Sequence, residues 1–282
     1  MSPPNNKKSY LALLEESFPG IQSNITRCEA LGFPWASGKL FLKENHGEAV
    51  SHASFFECPI LIEGTWYKMG ALHAICTKAS QRGQGLATQL IQETIEWAQT
   101  RCDMTLLFTE IPSFYERLSF QRVQEHRFHL PCVHPKGTRP LRPVVAPQDN
   151  ELFLRCFLER EPVSNRLWIQ NTGAIASFNT LFATYPTYRS LYYSPAFDGL
   201  LSYLLEGKTL HLLDVVASKM PSLDIILSHL PAAIEEIYFY FSPDRFTDQA
   251  TAEPYLYDKG QLMVHGKWPR VSPFMIAPLS RF

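Results

Sequence analysis

The tightest constraint on the fold comes from one change of period. Ala87, Leu90, Ile91, Thr94, Ile95 and Ala98 fall at i, i+3, i+4, i+7, i+8 and i+11, one face of an α-helix. Just upstream, Trp66 to Thr77 is rich in β-formers, and downstream Met104 to Thr109 is an apolar run of strand length. Strand, helix and strand in so short a stretch make a crossover unit, so the strands at 69–77 and 104–109 are expected to be parallel neighbours. Ahead of this unit, Lys39 to Lys43 and Ala49 to Ile62 read as two more strands, with turn residues at Glu44-Asn-His-Gly47 and Gly64-Thr65. Short turns between consecutive strands predict an antiparallel meander. Tyr10 to Phe18 and Asn24 to Leu31 are expected to be helices, the second with Asn24 as its N-cap. The class is α+β, with a mixed, mostly antiparallel twisted sheet flanked by helices.

Val133 to Glu151 breaks this order. Four of its residues are proline and it shows no periodicity, so it reads as a semi-rigid linker near the middle of the chain. With 282 residues and about 150 per domain, two domains are expected, at 1–132 and 151–282, joined by 133–150. Past the linker, Glu151 to Leu167 reads as a helix, then Tyr188 to Ser194, Leu200 to Leu205 and Lys208 to Val216 as strands. Leu223 to Leu230 reads as a helix and Glu236 to Phe241 as a strand. Helix, meander, helix, strand thus occurs twice, which predicts a diverged duplication.

Composition narrows the function classes. Lysine plus arginine number 26 against 27 aspartate plus glutamate, a formal charge of −1, which argues against a nucleic-acid partner. No stretch approaches the ~20 apolar residues needed to cross a bilayer. The start, Met1 to Lys8, lacks the apolar segment of a secretory signal, so no membrane association and a cytoplasmic location are expected. The six cysteines form no CxxC pair, and buried free thiols are expected rather than a metal site.

The candidate chemistry begins at Gln81-Arg-Gly-Gln-Gly-Leu-Ala87, between the third strand and the amphipathic helix. The first turn of a helix has backbone N–H groups without intrahelical partners and a partial positive charge. Gly83 and Gly85 remove Cβ atoms there, so a pyrophosphate can approach the main chain, while Arg82 adds charge and Thr88 a hydroxyl. Taken alone, the same glycines could simply shape a strand-to-helix turn. After the next strand comes Ile111-Pro-Ser-Phe-Tyr-Glu-Arg-Leu-Ser-Phe120, in which Phe114 and Leu118 share a helix face and Tyr115 is out of phase with them. A phenol with a pKa near 10 suits proton donation to a leaving thiolate.

Together the two segments resemble the acetyl-CoA-binding motif and the tyrosine motif of the GCN5-related N-acetyltransferase (GNAT) superfamily. The resemblance covers residues 10–130 and is sharpest over 69–120. It implies a GNAT fold and acetyl-CoA as co-substrate, with Arg82, Gly83, Gln84, Gly85, Leu86, Ala87 and Thr88 holding the pyrophosphate. It further implies that the backbone of Ile75, Cys76 and Thr77 pairs with the pantetheine arm and that Tyr115 is the general acid. Two positions depart from the family pattern: Ser119 stands where glycine is common, and Ala79 where proline is frequent.

The acceptor would be an amine, on a small molecule or a peptide, and its proton needs a destination. His73 matches the place of a histidine in aromatic-amine acetyltransferases of this type. It could equally be a hydrogen-bonded sheet residue. Glu57, Glu110 and a bound water are the alternatives, and the sequence does not choose among them. In the second half the corresponding turn, Val215 to Leu223, has no glycine and has Pro221 where a helix would begin. Coenzyme A binding is not expected there, and Ser218 or Met220 would precede the first turn. That half resembles a degenerate GNAT domain, and the tail Gly266 to Phe282 resembles the last strands of such domains. In one tandem bacterial group the terminal carboxylate enters the active site; that role is not carried over to Phe282. A non-catalytic acyl-CoA-binding sensor is the competing class, distinguished by turnover with a panel of amines.

Overall fold

The computed structural model describes residues 7–33, 38–170, 173–182 and 186–282. Two short helices, α1 (Lys7–Ser17) and α2 (Ile21–Ala30), lead into the meander β1 (Lys39–Asn45), β2 (Glu48–Ile62) and β3 (Thr65–Thr77). Helix α3 (Leu86–Ala98) then crosses to β4 (Met104–Thr109), which runs parallel to β3, as the change of period requires. Helix α4 (Pro112–Glu116) and β5 (Gln121–Val123) follow. Leu90, Ile91, Ile95 and Ala98 of α3 pack on Ala53, Phe55, Leu72 and Leu107 of the sheet. Gly70 makes room for this layer, because a Cβ there would sit 1.9 Å from Cζ of Phe55.

The remaining strands are β6 (His126–His134), β7 (Arg142–Val145), β8 (Leu167–Ile169), β9 (Thr187–Ser194), β10 (Gly199–Glu206), β11 (Thr209–Val216), β12 (Ile234–Phe239), β13 (Thr251–Pro254) and β14 (Gln261–Gly266). Helices α5 (Asn150–Glu159), α6 (Ala174–Leu181) and α7 (Leu223–Leu227) complete the second half. One sheet has the order β1-β2-β3-β4-β14-β5, with β8 paired to β2, and the other β13-β6-β12-β11-β10-β9-β7. Each sheet is a three-stranded antiparallel meander followed by a parallel neighbour, β3 with β4 and β11 with β12.

The two halves exchange strands. In the first sheet the place next to β4 is taken by β14, between β4 and β5, and in the second the place next to β12 is taken by β6, between β12 and β13. Strand β6 spans position 132, and the stretch 133–150 contains β7, which pairs with β9. Its prolines do not prevent this, since β7 lies at the end of its sheet, where a missing N–H is tolerated.

Several element boundaries differ from those the periodicity suggests. Helix α5 stops at Glu159 because the residue before a proline, here Glu161 ahead of Pro162, is disfavoured in helical conformation. Leu167 to Ile169, expected at the end of that helix, is instead a strand on β2. Helix α2 begins after Gly20, not at Asn24, whose buried amide donates to the carbonyl of Phe178 at 3.1 Å and ties α2 to α6. The tail strand ends at Gly266, where the tail was expected to begin, and Ser222, not Ser218 or Met220, caps α7. All six cysteines are free; Cys28, Cys76 and Cys156 are buried and the other three half-buried.

Candidate active site

Strands β3 and β4 pair only from Met69–Met104 to Ala71–Leu106 and then separate. The fork they leave opens toward the start of α3. Its floor is shaped by a bulge in β3: Ser54 pairs with His73 and His52 with Cys76, so Ala53 faces two residues, Ala74 and Ile75. Ala74 takes a left-handed conformation, φ 51°. Nδ1 of His52 lies 2.7 Å from the Ala74 carbonyl oxygen, so it donates and Nε2 is left to accept from Ser54 Oγ at 3.1 Å. Burial pushes the His52 pKa below its ordinary value, in keeping with this neutral tautomer. On the β2 side Ser51 Oγ donates to the Cys76 carbonyl at 3.1 Å and lies 2.9 Å from Thr77 Oγ1.

A cleft of about 600 Å³ occupies the fork. It is lined by Ile75, Cys76 and Thr77 from β3, by Arg82, Gly83, Gly85, Leu86, Ala87 and Thr88 from the glycine turn and α3, and by Tyr115 from α4. Of the cofactor-binding residues named from sequence, Gln84 alone is outside the lining; its amide donates to Gln81. Gly83 and Gly85 have φ of 80° and 78°, and a Cβ on either would point into open space. Gly85 is the N-cap of α3 and makes no side-chain cap, so the first-turn amides remain available to an anion. Arg82 is anchored beside them, its Nε donating to the Thr77 carbonyl at 3.1 Å.

Tyr115 is held by its own helix. Pro112 starts α4, and the ring packs edge-on against Phe114 and Phe120 at 5.0 and 5.8 Å. Burial pushes its phenol up to about 12, against a hydrogen bond with Thr109 that works in the opposite direction. Ser119 takes φ 63°, the left-handed conformation that explains why glycine is common in this place. Ala79 donates its N–H to Glu16 Oε1 at 3.2 Å, a bond that a proline there could not make.

His73 does not line the cleft. It is half-buried on the opposite sheet face, with its ring against Phe56 at 5.3 Å. Burial, reinforced by nearby His52, pushes its pKa down to about 3. An imidazole so perturbed is neutral at pH 7 and a weak proton acceptor. Glu57 lies beside Cys102, beyond the C-terminal end of α3, so the length of that helix, roughly 20 Å at ~1.5 Å per residue, separates it from the glycine turn. Glu110 is exposed at the mouth, next to Ile111, which lines the cleft. Sequence reasoning missed His52, Ser17 and Phe18. The last two close the cleft from the end of α1, and the only sequence signal for His52 was a lone imidazole in a strand opposite the phosphate-turn strand.

The second half repeats the fork without the openings. Strands β11 and β12 pair from Thr209–Glu236 to Leu212–Phe239 and then part. There the main chain at the end of β11 is taken by the chain itself. Arg160 Nη2 donates to the Val215 carbonyl at 3.1 Å, and Glu161 N–H donates to that of Ala217 at 3.0 Å. The Glu161 carboxylate accepts from Met220 N–H and pairs with Arg245 at 2.9 Å. Ser222 Oγ accepts from Ile225 N–H, so α7 is capped internally. Arg160 is paired with Asp214, both side chains at most 1% exposed.

Solved structures share this two-sheet arrangement. A probable N-acyltransferase from Enterococcus faecalis V583 superposes with a TM-score of 0.61 at 11% identity, over 93% of this chain and 70% of that one. Eis1 from Mycobacterium abscessus gives 0.58 at 12% identity, over 93% and 71%. A GCN5-related N-acetyltransferase from Anabaena variabilis ATCC 29413 gives 0.57 at 13% identity, over 93% and 71%. Identities this low establish likeness of fold. No curated protein matches the chain. Residues 4–123, which hold the β3–β4 fork, the glycine turn and Tyr115, match the model of the acetyltransferase (GNAT) domain.

Proposed function

We propose that the protein is an acetyl-CoA-dependent N-acetyltransferase that works by direct attack of an amine on the thioester. The observation that carries this reading is the convergence, in one cleft, of the glycine cradle, the unpaired edge of β3 and the Tyr115 phenol. The main-chain amides from Arg82 to Thr88 would hold the pyrophosphate, with Arg82 adding charge. The edge of Ile75, Cys76 and Thr77 would pair with the pantetheine arm, and an amide of this strand would polarise the thioester carbonyl. Acetyl-CoA supplies the activated acyl group; the N–C bond forms as the C–S bond breaks. Tyr115 protonates the departing sulfur, and its raised pKa keeps that proton in place until it is needed. Cys76 lines the same cleft, but burial pushes its thiol up to about 11, which leaves little thiolate for an acyl-enzyme and favours direct attack. The amine's proton passes to water at the open mouth, because His73 is too weakly basic to take it.

Calorimetry with acetyl-CoA on the wild type and Gly85→Glu, together with thiol release on a panel of amines, tests this. Binding by the wild type alone and turnover with at least one amine are expected. Equal binding by both proteins would remove the cradle. Binding without turnover by any amine would make the chain a non-catalytic acyl-CoA-binding protein. Tyr115→Phe is expected to bind acetyl-CoA and lose turnover by on the order of 100-fold or more.

A further inference from the structure

Strand β14 comes from the second half, yet it is the middle strand of the platform beneath α4. It pairs with β4 from Gln261–Thr109 to Gly266–Met104 and with β5 from Leu262–Val123 to Val264–Gln121. Strand β5 follows α4 and, among the described residues, has β14 as its only strand partner. Both flanks of α4 therefore depend on β14: β4, which ends at Thr109 just before it, and β5 just after it. The Arg122–Glu116 pair, 2.7 Å, links β5 to the end of α4.

The side chains of β14 divide between the two faces. Leu262 and Val264 join the cluster beneath the sheet, with Phe274 and Ile276. Met263 points the other way, fully buried in one cluster with Tyr115, Phe120 and Leu107, and α4 rests against the strand. The ring of His265 meets that of Phe120 at 5.4 Å, and Phe120 in turn meets Tyr115.

We infer that the second half completes the reaction centre of the first: β14 is the seat of Tyr115, and Met263 is a positioning residue for its phenol. This rests on the role proposed for Tyr115. A ring set by packing holds its hydroxyl to a fraction of an ångström, and removing the surface behind it frees the ring to tilt. The buried methionine thus acts on proton transfer without touching the reacting atoms.

The full chain is tested by thiol release with acetyl-CoA and the best amine of the panel. Met263→Ala is expected to lower kcat between about 10-fold and 100-fold, with KM for acetyl-CoA within about twofold. Met263→Leu restores kcat, and Val264→Ala, equally buried on the other face of the same strand, leaves kcat unchanged at a temperature where it is folded. In a Tyr115→Phe background Met263→Ala has no further effect on kcat. Should Met263→Ala fail to fold, Met263→Val is read by the same criteria. Equal kcat losses in Met263→Ala and Val264→Ala, or the same loss with and without the Tyr115 hydroxyl, would overturn the inference. Wild-type turnover by Tyr115→Phe would instead overturn the acid role, and the positioning role with it. Loss in Tyr115→Phe but not in Met263→Ala would overturn the positioning role alone.

Discussion

Nδ1 of His52 on β2 donates to the carbonyl oxygen of Ala74 on β3 at 2.7 Å, at the residue where β3 departs from its pleat on its way to the cleft. This bond satisfies a carbonyl that the bulge takes out of the ladder, and the bulge sets the direction in which Ile75 to Thr77 leave it. Removing the ring leaves that oxygen unsatisfied in a half-buried place, at a cost of about 1 kcal/mol. His52→Ala is therefore expected to lower stability by at least that amount in urea unfolding and to weaken acetyl-CoA binding in calorimetry. Unchanged binding in the folded variant would separate the bulge from the cofactor edge.

Ser119 occupies a left-handed conformation with a side chain that disfavours it. Replacing it with glycine removes the steric penalty but adds freedom to the unfolded chain. Ser119→Gly is expected to stabilise the protein by about 0.5–1 kcal/mol in a thermal melt, with turnover kept. A lower melting temperature would mean that the serine makes a compensating contact.

Acid sensitivity follows from His73. Its pKa is about 3 in the folded protein and near 6.5 unfolded, so the unfolded chain binds more protons between those values. Stability is fully present above pH ~6.5 and falls as pH drops toward ~3, by at most about 1.4 kcal/mol per pH unit for one such group. His52, His126, His229 and His265 are shifted in the same direction, so their losses add. Unfolding of His73→Gln across pH 4–7 should show a shallower slope than wild type. Turnover by this variant should stay within about 10-fold; a loss of more than about 100-fold would restore His73 as the base.

The Arg160–Asp214 pair, with oxygens at 2.7 and 3.1 Å from the guanidinium, holds the closed fork of the second half. Removing one partner of a buried pair strands the other, typically at about 3–5 kcal/mol. Asp214→Asn is expected to show a loss of that order in urea unfolding, or to fail to fold. A loss under about 1 kcal/mol would mean that water reaches the arginine.

Local signals served well where the physics is local. The spacing of Leu90, Ile91, Ile95 and Ala98 placed α3, and two glycines before it marked a turn in which φ is positive at both. The tyrosine helix was legible from Phe114, but it ends at Glu116, short of Leu118, which was expected on the same helix face. His73 was not: its alternation told that it lies in a strand, but its weak basicity comes from what is packed around it. Phe128 and Leu130 likewise alternate with Arg127 and His129, which signals a strand without naming its sheet.

By itself, then, the sequence determined the first meander, the crossover unit, the phosphate turn and the tyrosine that follows it, because helix period and turn chemistry act over a few residues. Tertiary structure alone decided that β6 and β14 change places between the halves, that Arg160 and Glu161 fill the second fork, and that Met263 joins the buried cluster that holds Tyr115. The physical reason is that a strand's edge accepts any partner with matching faces. The choice among partners is made by burial and hydrogen bonding between segments far apart in the chain.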